Sequence, residues 1–562
     1  MTTWGHVDKA YAHLIHEAYF YIFALVCVWI ISLYAYLDRY PIFSFQEVPM
    51  KYMFELLFPC LVAAIIAISV KASVNASTGE MHALGVSKSM AFSKSIWAIY
   101  FPSDIDAIFP THVYIDIKPF LFPFILSLIH TLFGLHDGNV FILNFILMAF
   151  CLCAVFICTR LYSGRILACA ATLFLASCPV FSFCGRSGSN DMMATLLIGI
   201  VFVILYSFMK NRRTEEFTLL WMTLLMLSSV REESPFYFIF VMTLLFALGY
   251  VNRNHIKDSL PIIGWTPLLV LPLVWQRMIH DKTSFGAMNN DPLFSWSHFK
   301  DNAPLFIRSQ FDFGFQLPYP NVLHIVGFLI FSFLLIDVFI RKRSFSTISQ
   351  KHFIVIVYTC LLFHLILMLS FWWPGTYTNV VSIRYFLPFT IALALSPIFM
   401  TFTREKFMKN WPPWLLGASF CTFFLYHPIA VEGSFLLRHP INIDSEFEFD
   451  VLKNQEDKRI LIIANFPWRF TTLGWKALDF DSANNSIPAI QSAISHYTLR
   501  DILVMQHMRY DTDLPVPSES LNPTFILEPL FKYQIASHEY LRISRLKSIE
   551  TKEMGHQGER QE

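Results

Sequence analysis

Charge is scarce in this chain: Asp, Glu, Lys and Arg make up 15% of its 562 residues, against 55% hydrophobic residues, 58 Phe among them. A soluble protein of that make-up, with a mean hydropathy of +0.50, would expose apolar patches over most of its surface. The balance therefore excludes a soluble globular protein and points to an integral membrane one. An excess of one charge is also lacking. With 42 basic against 41 acidic residues the net charge is +1, which excludes nucleic acid as a partner held by bulk electrostatics. The ten cysteines have no ligand-like spacing and lie in or beside apolar runs. They read as small buried hydrophobes rather than a disulfide framework. No internal repeat, low-complexity tract or nucleotide-binding fingerprint is present. The first apolar run, 18–37, lacks a basic leader and a small-residue cleavage site, which suits a retained span rather than a signal peptide.

Apolar runs suited to crossing hydrocarbon fall at 18–37, 54–72, 139–158, 166–183, 192–209, 217–230, 234–250, 260–277, 320–340, 353–372, 385–402 and 414–430. Between them, basic residues gather in alternate gaps. These are Arg160 and Arg165; Lys210, Arg212 and Arg213; Arg253 and Lys257; Arg341 to Lys351; and Arg404 to Lys409. The positive-inside rule makes these loops cytoplasmic and the intervening, acid-bearing loops external. The run from Phe120 to Gly134 would invert that order if it crossed, so it is expected to lie at the interface as a juxtamembrane helix. About twelve spans with both termini outside are the expectation.

After residue 432 the composition changes. Short β-like runs at 459–464, 501–505 and 524–528, with a helical stretch near 487–497, predict a small α/β domain over 432–547. A polar tail, 548–562, is expected to be disordered. The remaining division is a first span with its cytoplasmic loop, 1–53, and a membrane module, 54–431, bearing an outer loop, 73–118.

The chemistry-bearing residues sit on the external side. The first outer loop carries Glu80, His82, Asp104, Asp106, His112 and, at its end, Lys118 before Pro119. A carboxylate against an apolar wall has a raised pKa and suits a general base, although loop acids are also commonly just solvated. Further along, Arg186 and Asp191 flank one outer turn, Arg231 another, and Arg277 and Arg384 lie at span ends. Asp191 also suits the first turn of a helix, and each Arg can snorkel. Five cations on one face, Lys118, Arg186, Arg231, Arg277 and Arg384, nevertheless fit an anion at the outer boundary, and a lipid phosphate matches that depth. Asp104 and Asp106 spell Asp-x-Asp, a short pattern that can hold a divalent metal and also arises by chance.

The order of these features resembles the GT-C superfamily of polyprenyl-phosphate-dependent glycosyltransferases, in the branch of protein O-mannosyltransferases and lipid A aminoarabinose transferases. The resemblance spans roughly 54–400 and rests on Gly79-Glu80-Met81-His82 after an early span, Lys118-Pro119 opening a helix that ends Leu132-Phe133-Gly134, Arg160 to Arg165 inside, Gly185-Arg186 to Asp191 outside, then Arg231-Glu232 and Arg384-Tyr385. Family members usually have Asp at the first position of the early acid pair, where this chain has Gly79. That leaves Glu80, or Asp104 or Asp106 further along the loop, as the acid.

The resemblance implies a helical polytopic GT-C-like membrane fold. It also implies transfer of a sugar from a polyprenyl-phosphate donor to a lipid, glycan or protein acceptor by one inverting displacement. Glu80 would deprotonate the acceptor, with Asp191 orienting the acceptor or a cation. Lys118 and Arg384 would neutralise the departing phosphate, supported by Arg186, Arg231 or Arg277. No cofactor is required, a divalent metal being an open option only. A bacterial inner membrane with a periplasm-facing site is the expected location. A transporter or flippase of a lipid-linked or anionic solute is the alternative. Repeat symmetry and ionisable residues well inside several spans would favour it, and neither is evident in the sequence.

Overall fold

The computed structural model describes residues 9–39, 50–72, 78–99, 113–115, 119–274, 294–310, 322–339, 348–371, 384–403 and 411–432, and most of 447–550. The chain divides into two compact units. One comprises Gly5–Ile96 and Ile115–Arg438, and the other Met1–Trp4, Trp97–Tyr114 and His439–Glu562.

The first unit is helical. Its elements are α1 (Lys9–Arg39), α2 (Met50–Ser69), α3 (Thr78–Ser93), α4 (Leu121–Phe133), α5 (Asn139–Ser163), α6 (Arg165–Ala176), α7 (Pro179–Gly185), α8 (Asp191–Asn211), α9 (Thr214–Ser228), α10 (Pro235–Ala247), α11 (Arg253–Ile263) and α12 (Thr266–Leu269). They continue with α13 (Trp296–Gln310), α14 (Val322–Phe339), α15 (Ile348–Leu369), α16 (Leu387–Thr403), α17 (Pro412–Cys421) and α18 (His427–Glu432).

Among the described residues, four helical stretches are long and apolar enough to cross a membrane: Glu17–Arg39, Asn139–Arg160, Asp191–Asn211 and Lys351–Leu369. The pair α6 and α7, bent by 75° at its break, makes a fifth if counted as one span. Shorter apolar helices account for much of the remaining hydrophobic sequence. At 1.5 Å per residue, a helix of thirteen residues such as α10 is about 20 Å long, short of a hydrocarbon core of about 30 Å. At the α6–α7 break, Pro179 disfavours helical backbone at Cys178, whose ψ is 110°.

Packing ties the helix ends near Asp191 together. The N–H of Leu121, opening α4, donates to the carbonyl of Ser229 just beyond α9 at 3.0 Å. The Asn190 amide donates to the carbonyl of Val230 at 2.7 Å. At the opposite end of α5, Glu55 of α2 pairs with Arg160 at 2.9 Å and with Arg165. The first helix docks on α9 through the Trp29 indole, which donates to Thr223 at 3.0 Å, and through an Arg39–Glu215 pair.

The second unit contains a two-stranded sheet of β1 (Trp97–Ile99) and β2 (Val113–Ile115), and a five-stranded sheet. The strands of the larger sheet are β3 (Ile460–Ile463), β4 (Lys476–Leu478), β5 (Asp501–Arg509), β6 (Phe525–Gln534) and β7 (Glu539–Ile549), in the order β4-β3-β5-β7-β6. β3 pairs parallel with β4 and β5, and β7 antiparallel with β5 and β6. Alternation sends Ile502 and Val504 to one face, against Phe480, Ala483, Ile490 and Ala493 of helices Phe480–Asn485 and Ile487–Ser495. It sends Leu503 and Met505 to the other, against Phe470 and Trp475. The β-like runs and the helix read from the sequence are present, and the last strand continues to Ile549, past position 547.

Candidate active site

Asp191 is the first residue of α8, and the turn before it, 186–190, closes on residues from three distant parts of the chain. Glu80 lies in the first turn of α3. Arg231 follows α9, and Arg384 opens a single 3-10 turn, Arg384–Phe386, ahead of α16. Residues 304 positions apart therefore meet: the Arg384 Nη1 donates to Glu80 Oε1 at 3.2 Å. The other carboxylate oxygen, Oε2, accepts from the backbone N–H of Gly188 at 2.9 Å. A Cβ at position 188 would stand 3.1 Å from Glu80 Oε2 and 3.3 Å from its Cβ, so glycine permits this approach.

Asp191 sits between the two arginines. One oxygen is in contact with Arg231 Nη1, and the other lies 3.7 Å from Arg384 Nε. Arg231 Nε also reaches Glu233 Oε1 at 2.5 Å. Both guanidinium groups stack on Tyr385, with Arg231 4.6 Å and Arg384 5.4 Å from the ring centroid. The backbone of Tyr385 is held from α15, where the His364 ring donates from Nε2 to its carbonyl at 2.8 Å.

Exposure is 2% for Glu80, 1% for Asp191 and 6% for each arginine. Charges so deeply buried persist only when paired, because removing an ion from water costs several kcal/mol. Here three carboxylates, Glu80, Asp191 and Glu233, surround two guanidiniums, so among the described residues the cluster carries no surplus positive charge. For Arg231, burial lowers the pKa, but Glu233 and Asp191 more than offset this and raise it above its ordinary value.

Arg186 differs. It is partly buried, its Nε donates to the carbonyl of Val70 at 3.1 Å, and burial lowers its pKa with no carboxylate among the described residues offsetting the effect. It is the cation of this turn whose charge the described carboxylates leave unanswered.

Of the residues singled out from sequence, Glu80, Asp191, Arg231 and Arg384 form one cluster, and Arg186 occupies the same turn as Gly188. Arg231 and Arg384, read from sequence as phosphate ligands, spend their charge on the cluster's own carboxylates. Asp104, Asp106, His112, Lys118 and Arg277 lie outside the described residues, as does the side chain of His82. Among the described residues no group of three or more His, Cys, Asp or Glu is arranged to hold a metal ion. Sequence reading missed three contributors: Glu233, the Gly188 N–H and the Tyr385 ring. The neighbouring Arg231-Glu232-Glu233 and Arg384-Tyr385 steps were the signals for two of them.

Comparison with known proteins shows what part of the sequence and the fold resemble. Residues 117–276 match the family model of dolichyl-phosphate-mannose-protein mannosyltransferases. The fold resembles the crystal structure of ArnT from Cupriavidus metallidurans in the apo state, with a TM-score of 0.51 at 11% identity, over 88% of this chain and 98% of that one. Over residues 117–276 the sequence is thus similar to that family, and the fold is similar to that of ArnT. Other similar structures are ArnT from the same organism bound to undecaprenyl phosphate, with a TM-score of 0.48 and 11% identity over 87% of this chain and 97% of that one, and an Archaeoglobus fulgidus oligosaccharyltransferase in complex with Zn and sulfate, at 0.47 and 11% over 80% and 67%. No curated protein matches the sequence. Neither the family model nor the similar folds point to a transporter.

Proposed function

We propose that this chain is a GT-C glycosyltransferase that moves a sugar from a polyprenyl-phosphate carrier to a lipid, glycan or protein acceptor at the non-cytoplasmic face, with inversion at the anomeric carbon. The donor class follows the name of the family matched over 117–276. The observation that carries the mechanism is the buried Glu80 carboxylate, oriented by the Gly188 N–H and Arg384.

The two oxygens of that carboxylate accept from these two donors, which orients it. Glu80 takes the proton of the acceptor hydroxyl or amine, and the freed pair attacks the anomeric carbon. The bond from that carbon to the phosphate oxygen breaks, and its electrons leave on the lipid phosphate. That leaving group is already a weak base, so it needs positive charge rather than a proton. Arg231 and Arg384 are committed to carboxylates, which makes Arg186 the described residue best suited to meet the phosphate, together with Lys118 and Arg277 from the sequence reading. Asp191 sets the positions of the two buried arginines. In this reading Asp104 and Asp106 are subsidiary acids of the same outer loop, and no metal is required.

The chain is an integral membrane protein. A bacterial inner membrane, a site facing the periplasm and about twelve spans, some made of broken or short helices, remain part of the proposal. So does the division at 53, 431 and 547.

The test compares cells with and without the gene by mass spectrometry of their glycolipids and glycoproteins, together with sugar transfer in purified membranes against solute flux in sealed vesicles. Loss of one glycoconjugate and of transfer is expected. Flux without transfer would instead assign a transporter.

A further inference from the structure

We propose that Asn144, in the second turn of the apolar helix α5, is the residue that positions Glu80 for proton abstraction. The inference rests on the reading of Glu80 as the base. Asn144 is fully buried. Its side-chain amide nitrogen donates to two backbone carbonyls of the same turn, Ser187 at 2.7 Å and Ser189 at 2.8 Å. These two carbonyls bracket Gly188, whose N–H holds Glu80 Oε2.

The amide can face only one way, because a flipped side chain would set its oxygen against both carbonyl oxygens. In the orientation it adopts, Oδ1 is buried without a hydrogen-bond partner. A buried polar atom left unpaired is costly inside a span. An asparagine retained there despite that cost is explained by what its nitrogen does for the turn. One helical turn along α5, Met148 packs against Gly185 at the end of α7. The same face of α5 thus grips the 185–189 segment at both ends.

Within the turn, the Ser189 N–H donates to Ser187 Oγ at 3.2 Å, and its ends are tied by Arg186 to the Val70 carbonyl and by Asn190 to the Val230 carbonyl. The two bonds from Asn144 hold its middle, on either side of Gly188. The direction of the Gly188 N–H, and with it that of the Glu80 carboxylate, is then set from α5.

The experiment uses the full-length chain in native membranes, with a lipid extract of the producing cells as donor, endogenous acceptor, and undecaprenyl phosphate as the binding probe. Asn144→Ala releases the turn. Gly188→Ala leaves both Asn144 bonds in place and pushes directly on the carboxylate, so it remains informative if the first variant folds poorly. Both are expected to lower the maximal rate by about tenfold or more, with the half-saturating amount of donor and the binding of undecaprenyl phosphate unchanged. A merely structural role would instead lower rate, lipid binding and heat resistance together, and that result overturns the proposal. So do wild-type rates in both variants while Glu80→Gln is inactive. Full turnover by Glu80→Gln would show that the reading of the base itself had failed.

Discussion

Replacing Asp191 by asparagine keeps the side chain's shape and removes a charge that serves two buried arginines. Its carboxylate contacts Arg231 and lies 3.7 Å from Arg384 Nε. Unit charges about 4 Å apart attract by about 4 kcal/mol at an effective dielectric of about 20, and desolvation of the ions opposes much of that. Removing one partner of a buried pair costs about 3–5 kcal/mol, because the other charge stays buried. Each arginine here keeps a second carboxylate, Glu233 or Glu80, which places the cost at the low end, about 3 kcal/mol. An asparagine can accept from one guanidinium only, and its amide hydrogens then face the other. Should the loss fall on the orientation of Arg384 and Glu80, about 3 kcal/mol in the barrier corresponds to about a hundredfold in rate. Sugar transfer and heat inactivation, measured on equal amounts of wild-type and Asp191→Asn protein in membranes, read both quantities. Transfer reduced by about two orders of magnitude, with earlier heat inactivation, is expected. Wild-type transfer and wild-type heat resistance together would refute the charge cluster.

Arg186→Gln removes the cation that the described carboxylates leave unanswered. A charge-assisted hydrogen bond contributes about 1.5–3 kcal/mol, so affinity for undecaprenyl phosphate should fall by about tenfold to a hundredfold. Unchanged affinity would move the phosphate cradle to Lys118 or Arg277. Gly185→Ala puts a methyl group into the space of the Met148 thioether and should cost about 1–3 kcal/mol of stability, seen as earlier thermal unfolding. Met148→Ala in the same chain should restore part of the loss, and no effect of Gly185→Ala would mean the helices are not so closely packed.

The members of the cluster were legible as charged residues at the outer ends of apolar runs, because an ion there needs a reason to stay. Their pairing was not. Sequence supplies the sign of each charge, whereas the partner of Arg384 is set by packing that brings α3 and α16 together across 304 positions. Two arginines expected to meet a phosphate are, for that reason, bonded to carboxylates. The N–H of Gly188 left no trace in the sequence because every residue but proline has one, and only the absence of a Cβ marks the approach. Asn144 was not singled out from the sequence, because its two acceptors are backbone atoms of a turn more than forty positions away. In the second unit, short apolar runs exposed β3, β5 and the start of β6. The strand β7 was obscured by Arg542, Arg545 and Lys547, whose charges made the segment read as polar although Leu541 and Ile543 are buried on its other face. The apolar run 166–183 is two helices because hydropathy counts apolar residues through the proline break at Pro179, where the helical hydrogen bonding does not continue.

The central claim is that Glu80 is the base of a polyprenyl-phosphate-dependent transfer, and Glu80→Gln tests it most directly. The amide keeps the size of the side chain and cannot take the acceptor's proton. With expression and undecaprenyl phosphate binding unchanged, transfer is predicted to fall by about 10² to 10⁴-fold. Transfer at the wild-type rate would contradict the account.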